Sequence, residues 1–151
     1  MTLADSFPLG ERLESIHRQF GPRLVVRLFC DFTARPKEKR LLIVSTVTDP
    51  PLFFFINSEK APHSHFDRSV DDHQIAISPS SYDFLEHDSF IDCSVVHDNF
   101  LLAEIEGALA SDMSRLLGKI DENTAAEILE VIADSDLLSP RHINQISSDI
   151  L

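Results

Sequence analysis

The sequence predicts an α+β domain, mainly β at its centre: an antiparallel sheet or small barrel with one N-terminal helix and several C-terminal helices. Three observations predict it. Between residues 23 and 96 the apolar residues fall in short β-branched and aromatic runs bounded by turn residues. The connections between these runs are short, which favours antiparallel pairing. From Asn99 onward the apolar spacing changes to three and four residues, the helical period. Glycine is scarce, 4 in the chain, which counts mildly against a tightly closed barrel.

In chain order, Leu9, Leu13, Ile16 and Phe20 predict a helix over 8–20, started by Ser6 or Pro8 and stopped by Gly21-Pro22. His17 reads as a surface or boundary histidine. Residues 23–32 predict the first strand, apolar enough to be central rather than an edge. The stretch Arg35-Pro-Lys-Glu-Lys-Arg40 reads as a basic loop. Strands near 41–47 and 52–57 follow, separated by the turn Thr48-Asp-Pro-Pro51. Residues 59–73 read as a polar, irregular loop. Gln74–Ser78 predicts a short strand, Ser78–Ser81 a turn, Tyr82–Ser89 one helical turn, and Phe90–Val96 a fifth strand with Asp88 and Ser89 as capping groups. Phe100, Leu101, Ile105 and Leu109 predict a helix; Met113, Leu116 and Leu117 predict a shorter one. Asp121 is set to cap a helix that buries Ala125, Ile128, Leu129 and Ile132, and Ser139-Pro140 to start a last helix carrying Ile143, Ile146 and Ile150.

The chain has 151 residues, enough for one domain with a substantial core. No basic region leads an apolar run at the N-terminus, so no signal peptide is expected. No apolar stretch approaches the ~18 residues that would span a bilayer. Cys30 and Cys93 lie in apolar strands and read as buried, reduced thiols. A cytoplasmic protein is the expectation. The net charge of −12 is uneven. Residues 1–60 hold nine Lys and Arg against seven Asp and Glu, while residues 61–151 hold four against eighteen. That confines any nucleic-acid contact to the N-terminal half. The acidic half serves solubility or meets a basic partner.

Phosphate-binding and dinucleotide glycine loops, H-E-x-x-H, C-x-x-C and G-x-S-x-G are all absent. P-loop hydrolysis, zinc proteolysis and esterase chemistry therefore drop away. His63, His65, Asp67, Asp71, Asp72 and His73 could offer metal ligands, but with no cysteine among them a solvated loop is the favoured reading and no metal or cofactor is assigned. What remains is the cationic stretch Arg35, Lys37, Lys39 and Arg40 beside strands that end in polar residues. Guanidinium groups bind phosphate in a forked geometry. RNA can be cut without metal when its own 2′-OH attacks the adjacent phosphate. The protein then supplies a cation, proton-moving groups and a groove. Arg40, Ser58 and Glu59 are expected to meet there if their consecutive strands pair.

The order of segments resembles the MazF/PemK-like toxin family of SH3-like barrels. The resemblance rests on Asp31-Phe32 ending the first strand, the charged stretch 35–39, Arg40 opening Leu41-Leu-Ile-Val-Ser45, and Phe53-Phe-Phe-Ile-Asn-Ser58. Phe84-Leu-Glu-His-Asp-Ser-Phe-Ile-Asp-Cys93 and Leu117-Gly-Lys-Ile-Asp121, with the helix over 122–134, extend it. The chain departs from the family pattern in having Leu41 where a proline is usual and in lacking glycines beside the charged stretch. The resemblance covers roughly residues 23–134, and the N-terminal helix and the segment after Leu138 are additions to it; the chain is read as a β-barrel core over 23–97, a helical extension over 1–22 and a C-terminal helical part of the same domain over 98–151. The resemblance implies a metal-independent endoribonuclease acting on single-stranded RNA, a homodimer, and an antitoxin protein lying in the RNA groove. Arg40 would be the transition-state cation and acid and Ser58 the hydroxyl. Arg35, Lys37 and Lys39 would hold RNA, with Glu59 and Asp88 in support. The rival expectation is a non-catalytic barrel of the same shape, a regulatory or defence component that binds a protein through its acidic helices. A metal enzyme built on the 63–73 loop is the third.

Overall fold

The computed structural model describes residues 7–151. Its core is a six-stranded, wholly antiparallel sheet in an α+β fold with five α-helices. The strands are β1 (Leu24–Cys30), β2 (Lys37–Ser45), β3 (Leu52–Asn57), β4 (Gln74–Ile77), β5 (Ser89–His97) and β6 (Leu116–Lys119), in the spatial order β4-β5-β3-β2-β1-β6. The helices are α1 (Leu9–Gln19), α2 (Arg68–Asp72), α3 (Leu102–Ser111), α4 (Glu122–Ala133) and α5 (Pro140–Asp149).

The unbroken apolar runs of β2 and β3 follow from burial on both faces of the sheet. Alternate strand residues point to opposite sides. Val25, Leu42, Phe54, Ile56, Ile75 and Ile91 join Ala125, Ile128 and Ile132 of α4 and Ile146 of α5 in one core. Val26, Leu28, Leu41, Ile43, Phe53 and Phe55 join Ile16 of α1 and Ile105 and Leu109 of α3 in the other. Both cores lie along the central strands, where each fully buried Leu, Ile or Phe contributes about 1.5–3 kcal/mol. β1 sits inside the sheet between β2 and β6, as its composition predicts. α1 is buried through Ile16, whereas Leu9 and Leu13 of the same stripe stay exposed. Pro8 is its N-cap residue; Ser6 lies outside the described residues.

The expected caps form. Asp121 accepts from the Thr124 amide at 2.8 Å and Ser139 from the His142 amide at 3.2 Å. α5 is tied to the sheet by the Thr46 amide, which donates to the Asp149 carboxylate at 2.6 Å.

Four expectations are corrected. The 35–40 stretch is not a loop: from Lys37 onward it is strand, because β1 offers a ladder as far as Cys30, opposite Lys37. The 59–73 segment is ordered into a 3-10 turn (Pro62–His65) and α2, which the Asp67 carboxylate caps through the Ser69 and Val70 amides. Tyr82–Asp88 forms no helix but one tight turn, in which the Leu85 amide donates to the Tyr82 carbonyl at 3.2 Å, followed by bends, and Ser89 begins β5 directly. Met113–Arg115 is a 3-10 turn, and Leu116 and Leu117 enter β6, so the 98–151 segment adds a strand to the helices. β6 forms because β1 would otherwise end the sheet with an open ladder. At its Gly118 a Cβ would stand 3.2 Å from the Phe84 ring, so glycine lets the 78–88 segment close over the sheet.

Candidate functional site

A cleft of about 520 Å³ opens at the end of the sheet where β1 and β3 finish and β2 and β5 begin. Its lining includes Lys37, Lys39, Arg40, Ser58 and Glu59, so the strand pairing gathers five of the seven residues singled out in the sequence. Arg35 sits outside the cleft in the exposed β1–β2 turn, where its carbonyl accepts from the Thr33 hydroxyl at 2.8 Å. Asp88 lines a different cavity with Asp121, Thr124 and Glu127. His87, at the strand entrance where a side chain could face a groove, does line the cleft; Arg27, Lys60 and Asp92 also line it and have no place in the cationic stretch read from sequence.

Register explains the central feature. Arg27 on β1 stands opposite Arg40 on β2, and Arg40 opposite Ile56 on β3. The row continues through Ile91 and Ile75. Two arginines thus extend an apolar row beyond the end of the core. Like charges directly opposite on neighbouring strands are destabilising. The Nε of each is buried without a hydrogen-bond partner. A cation pair held this way is preorganised to receive an anion with several acceptor oxygens.

The surrounding charges are unequally spent. Glu38 is held by the Arg115 guanidinium in two hydrogen bonds of 2.7 and 2.8 Å. That pairing keeps its carboxyl below the ordinary range. Lys60 pairs with Asp71 at 2.9 Å. Asp92 accepts from Gln74 at 2.8 Å and from the Ser94 amide at 3.0 Å, and Gln74 also accepts from the Ala61 amide at 3.2 Å, pinning the β3–α2 segment. Lys39 donates to the Asn57 side chain at 2.7 Å. Burial, then the charge of Lys37, lowers its ammonium below the usual lysine value. Arg27, Arg40 and Lys37 have no ion-pair partner among the described residues.

His87 reaches the cleft because the segment before β5 is anchored. Tyr82 and Leu85 are buried on the α4 side, and the Tyr82 hydroxyl bonds Thr124 at 2.6 Å and accepts from the Asp121 amide at 3.2 Å. A cleft with adjacent guanidiniums, a hydroxyl, a carboxylate and an imidazole can bind a phosphodiester and move protons around it. Sequence carried one signal for Arg27: it is the lone charge inside Leu24-Val-Val-Arg-Leu-Phe-Cys30.

The histidines of the 63–73 segment part company. His73 is buried, with Nδ1 2.6 Å from the Ser69 carbonyl and Nε2 2.6 Å from the Ser135 hydroxyl, while His63 and His65 are exposed. Among the described residues no three His, Cys, Asp or Glu side chains gather as metal ligands. Cys30 and Cys93 are free, buried thiols on opposite faces of the sheet, and burial pushes Cys30 up to about 11. Among the described residues no helix is long and apolar enough to cross a membrane. Comparison with models of protein families, with curated proteins and with solved structures finds no match in any of the three.

Proposed function

We propose that the cleft binds single-stranded RNA and cleaves it without a metal, in the manner of the MazF/PemK-like toxins, with the curled sheet serving as their SH3-like barrel. The observation that carries this reading is the Arg27–Arg40 pair, whose Nε groups are buried and unpartnered beside Ser58, Glu59 and His87. The pair would bracket the non-bridging oxygens of one phosphate. The 2′-OH attacks that phosphorus while Glu59 takes its proton. His87 gives a proton to the departing 5′-oxygen. The P–O5′ bond breaks as the P–O2′ bond forms, leaving a 2′,3′-cyclic phosphate and a 5′-hydroxyl. Negative charge grows on the phosphoryl oxygens in the transition state, where preorganised cations contribute most. Ser58 donates to one of those oxygens, and Lys37 and Lys39 hold the strand beside it. The same reading makes the protein a homodimer restrained by an antitoxin protein.

The test is incubation of purified protein, with chelator present, on single-stranded RNA and on DNA of the same sequence. RNA fragments ending in 2′,3′-cyclic phosphate, with DNA left intact, are the expected products. Arg40→Ala should lower the rate about a hundredfold or more, in line with loss of an oxyanion-stabilising donor. If RNA survives intact but still binds, the cleft belongs to a non-catalytic binder.

A further inference from the structure

Behind the cleft, on the α1/α3 face of the sheet, lies an aromatic shelf that the cleavage chemistry does not use. Phe32, Phe55, Phe100 and His97 surround one another. The Phe32 ring centroid is 6.0 Å from that of Phe55 at an interplanar angle of 21°, 5.7 Å from Phe100 and 6.2 Å from His97. His97 is there because of a bulge: the three residues of β3 from Phe53 to Phe55 stand against the six of β5 from His97 back to Asp92. The extra residues fold the end of β5 so that the imidazole lies 4.4 Å from the Phe55 ring centroid and stacks on Phe53 at 5.3 Å.

Most of this cluster is core, but Phe32 is not. It is 37% exposed, in the turn after β1. The shelf is also continuous with the cationic cleft. Lys39 lines the cleft, and its ammonium stands 4.5 Å over the Phe55 ring centroid. Asp92 lines the cleft from the same bulged strand. Arg27 and Arg40 face the other side of the sheet from Lys39, so a chain whose phosphate rests on them would meet the aromatic face next to Lys39 by passing the end of β3. Every nucleobase offers a π-face to such a ring, and an adjacent cation holds the phosphate that follows. His97 supports the same use. Burial holds its imidazole below the ordinary histidine value, with Lys39 acting in the same direction against Asp92. A neutral ring keeps the shelf apolar.

We infer that the Phe32 shelf is a nucleobase-binding subsite, in which one base of the RNA strand stacks on Phe32 while the neighbouring phosphate is held by Lys39. The inference rests on the RNA reading above and names the part of the ligand it did not assign. Stacking on an aromatic side chain is worth about 5- to 150-fold in affinity per base by alanine substitution.

The probe is a fluorescent 2′-O-methyl oligoribonucleotide, which lacks the attacking hydroxyl, alongside an abasic oligonucleotide of the same backbone and length. Phe32→Ala should weaken binding of the base-bearing strand about tenfold and leave the abasic strand unchanged, while Phe32→Tyr keeps wild-type affinity. Should the alanine variant fail to fold, Phe32→Leu, which keeps apolar bulk without a π-face, carries the same comparison. Wild-type affinity of the folded alanine or leucine variant for the base-bearing strand overturns the subsite and leaves the RNA reading standing. Equal losses on both strands make Phe32 a structural residue and also overturn it. If the wild-type protein binds neither strand, the RNA reading itself fails.

Discussion

Replacing Arg27 with methionine should make the protein more stable and less able to bind an anion. Arg27 faces Arg40 across the β1–β2 ladder, and the Nε of each is buried without a partner. The like-charge pairing disfavours the folded state by about 0.2–1 kcal/mol. An unsatisfied buried donor adds about 1–3 kcal/mol. Methionine keeps the unbranched stem and extends the apolar row of Ile56 and Ile91. Against this, Arg27 helps, behind Arg115, to hold the Glu38 carboxyl low, and that help is lost. Its carbonyl still accepts from Arg115 at 3.0 Å. A net gain of about 2 kcal/mol is expected, or a rise in Tm of about 4 to 8 °C for a domain of this size. Melts followed by circular dichroism, with and without inorganic pyrophosphate, make the measurement. Wild type should be stabilised by pyrophosphate and the variant much less so. Added sodium chloride should narrow the gap between the two proteins, because it screens the arginine repulsion. A variant that melts below wild type in plain buffer would show that the guanidiniums are satisfied in the folded state and refute the preorganised anion site.

Two further expectations concern the frame around the cleft. Arg115→Gln removes the forked contact with Glu38, and since both side chains are partly exposed the loss at neutral pH should not exceed about 1 kcal/mol. The folded-state carboxyl of Glu38 is depressed, so its contribution is present above the unfolded carboxylate range, near pH 4.3, and is lost as pH falls through the folded value. Melting curves of the two proteins should therefore converge in acid, and a gap that persisted there would mean Arg115 acts through packing instead. Ser135→Ala leaves the buried His73 Nε2 and the Leu137 and Leu138 amides without their shared hydroxyl, and should lower stability by about 1–3 kcal/mol in urea titrations. An unchanged midpoint would show that water replaces the hydroxyl.

Residues 41–44 and 52–56 could be read as strands because burial on both faces leaves no polar alternation to confuse with a helix. Asp121 and Ser139 could be read as caps because the signal is local. Lys37–Arg40 looked like a loop because charge hides strand character. Only the ladder offered by β1 settles it. Four residues at 116–119 carry too little periodicity to separate strand from helix, and β6 exists because β1 has an edge to cover. The site follows the same division. Arg40 lies on β2, and Ser58 and Glu59 directly follow its paired strand β3, so sequence order brings them near one another. Arg27 and His87 arrive through β1–β2 register and through the Tyr82 anchor, both of which are tertiary.

The charge of the chain bears on how the cleft would be used. A protein of net −12 repels a polyanion at a distance, yet three cations at one sheet end have no ion-pair partner among the described residues. Repulsion acts over a Debye length of about 8 Å in physiological salt, whereas contact with the guanidiniums acts within hydrogen-bond distance. On the RNA reading, a ligand would be admitted only where it can present its phosphate directly to the Arg27–Arg40 pair. Long duplexes, which carry charge on every side, bring most of their phosphates against the acidic surface. A short single strand entering end-on does not. On the RNA reading, the acidic α4, whose Glu122, Glu127 and Glu130 are exposed, would add to the repulsion that a polyanion meets away from the cleft.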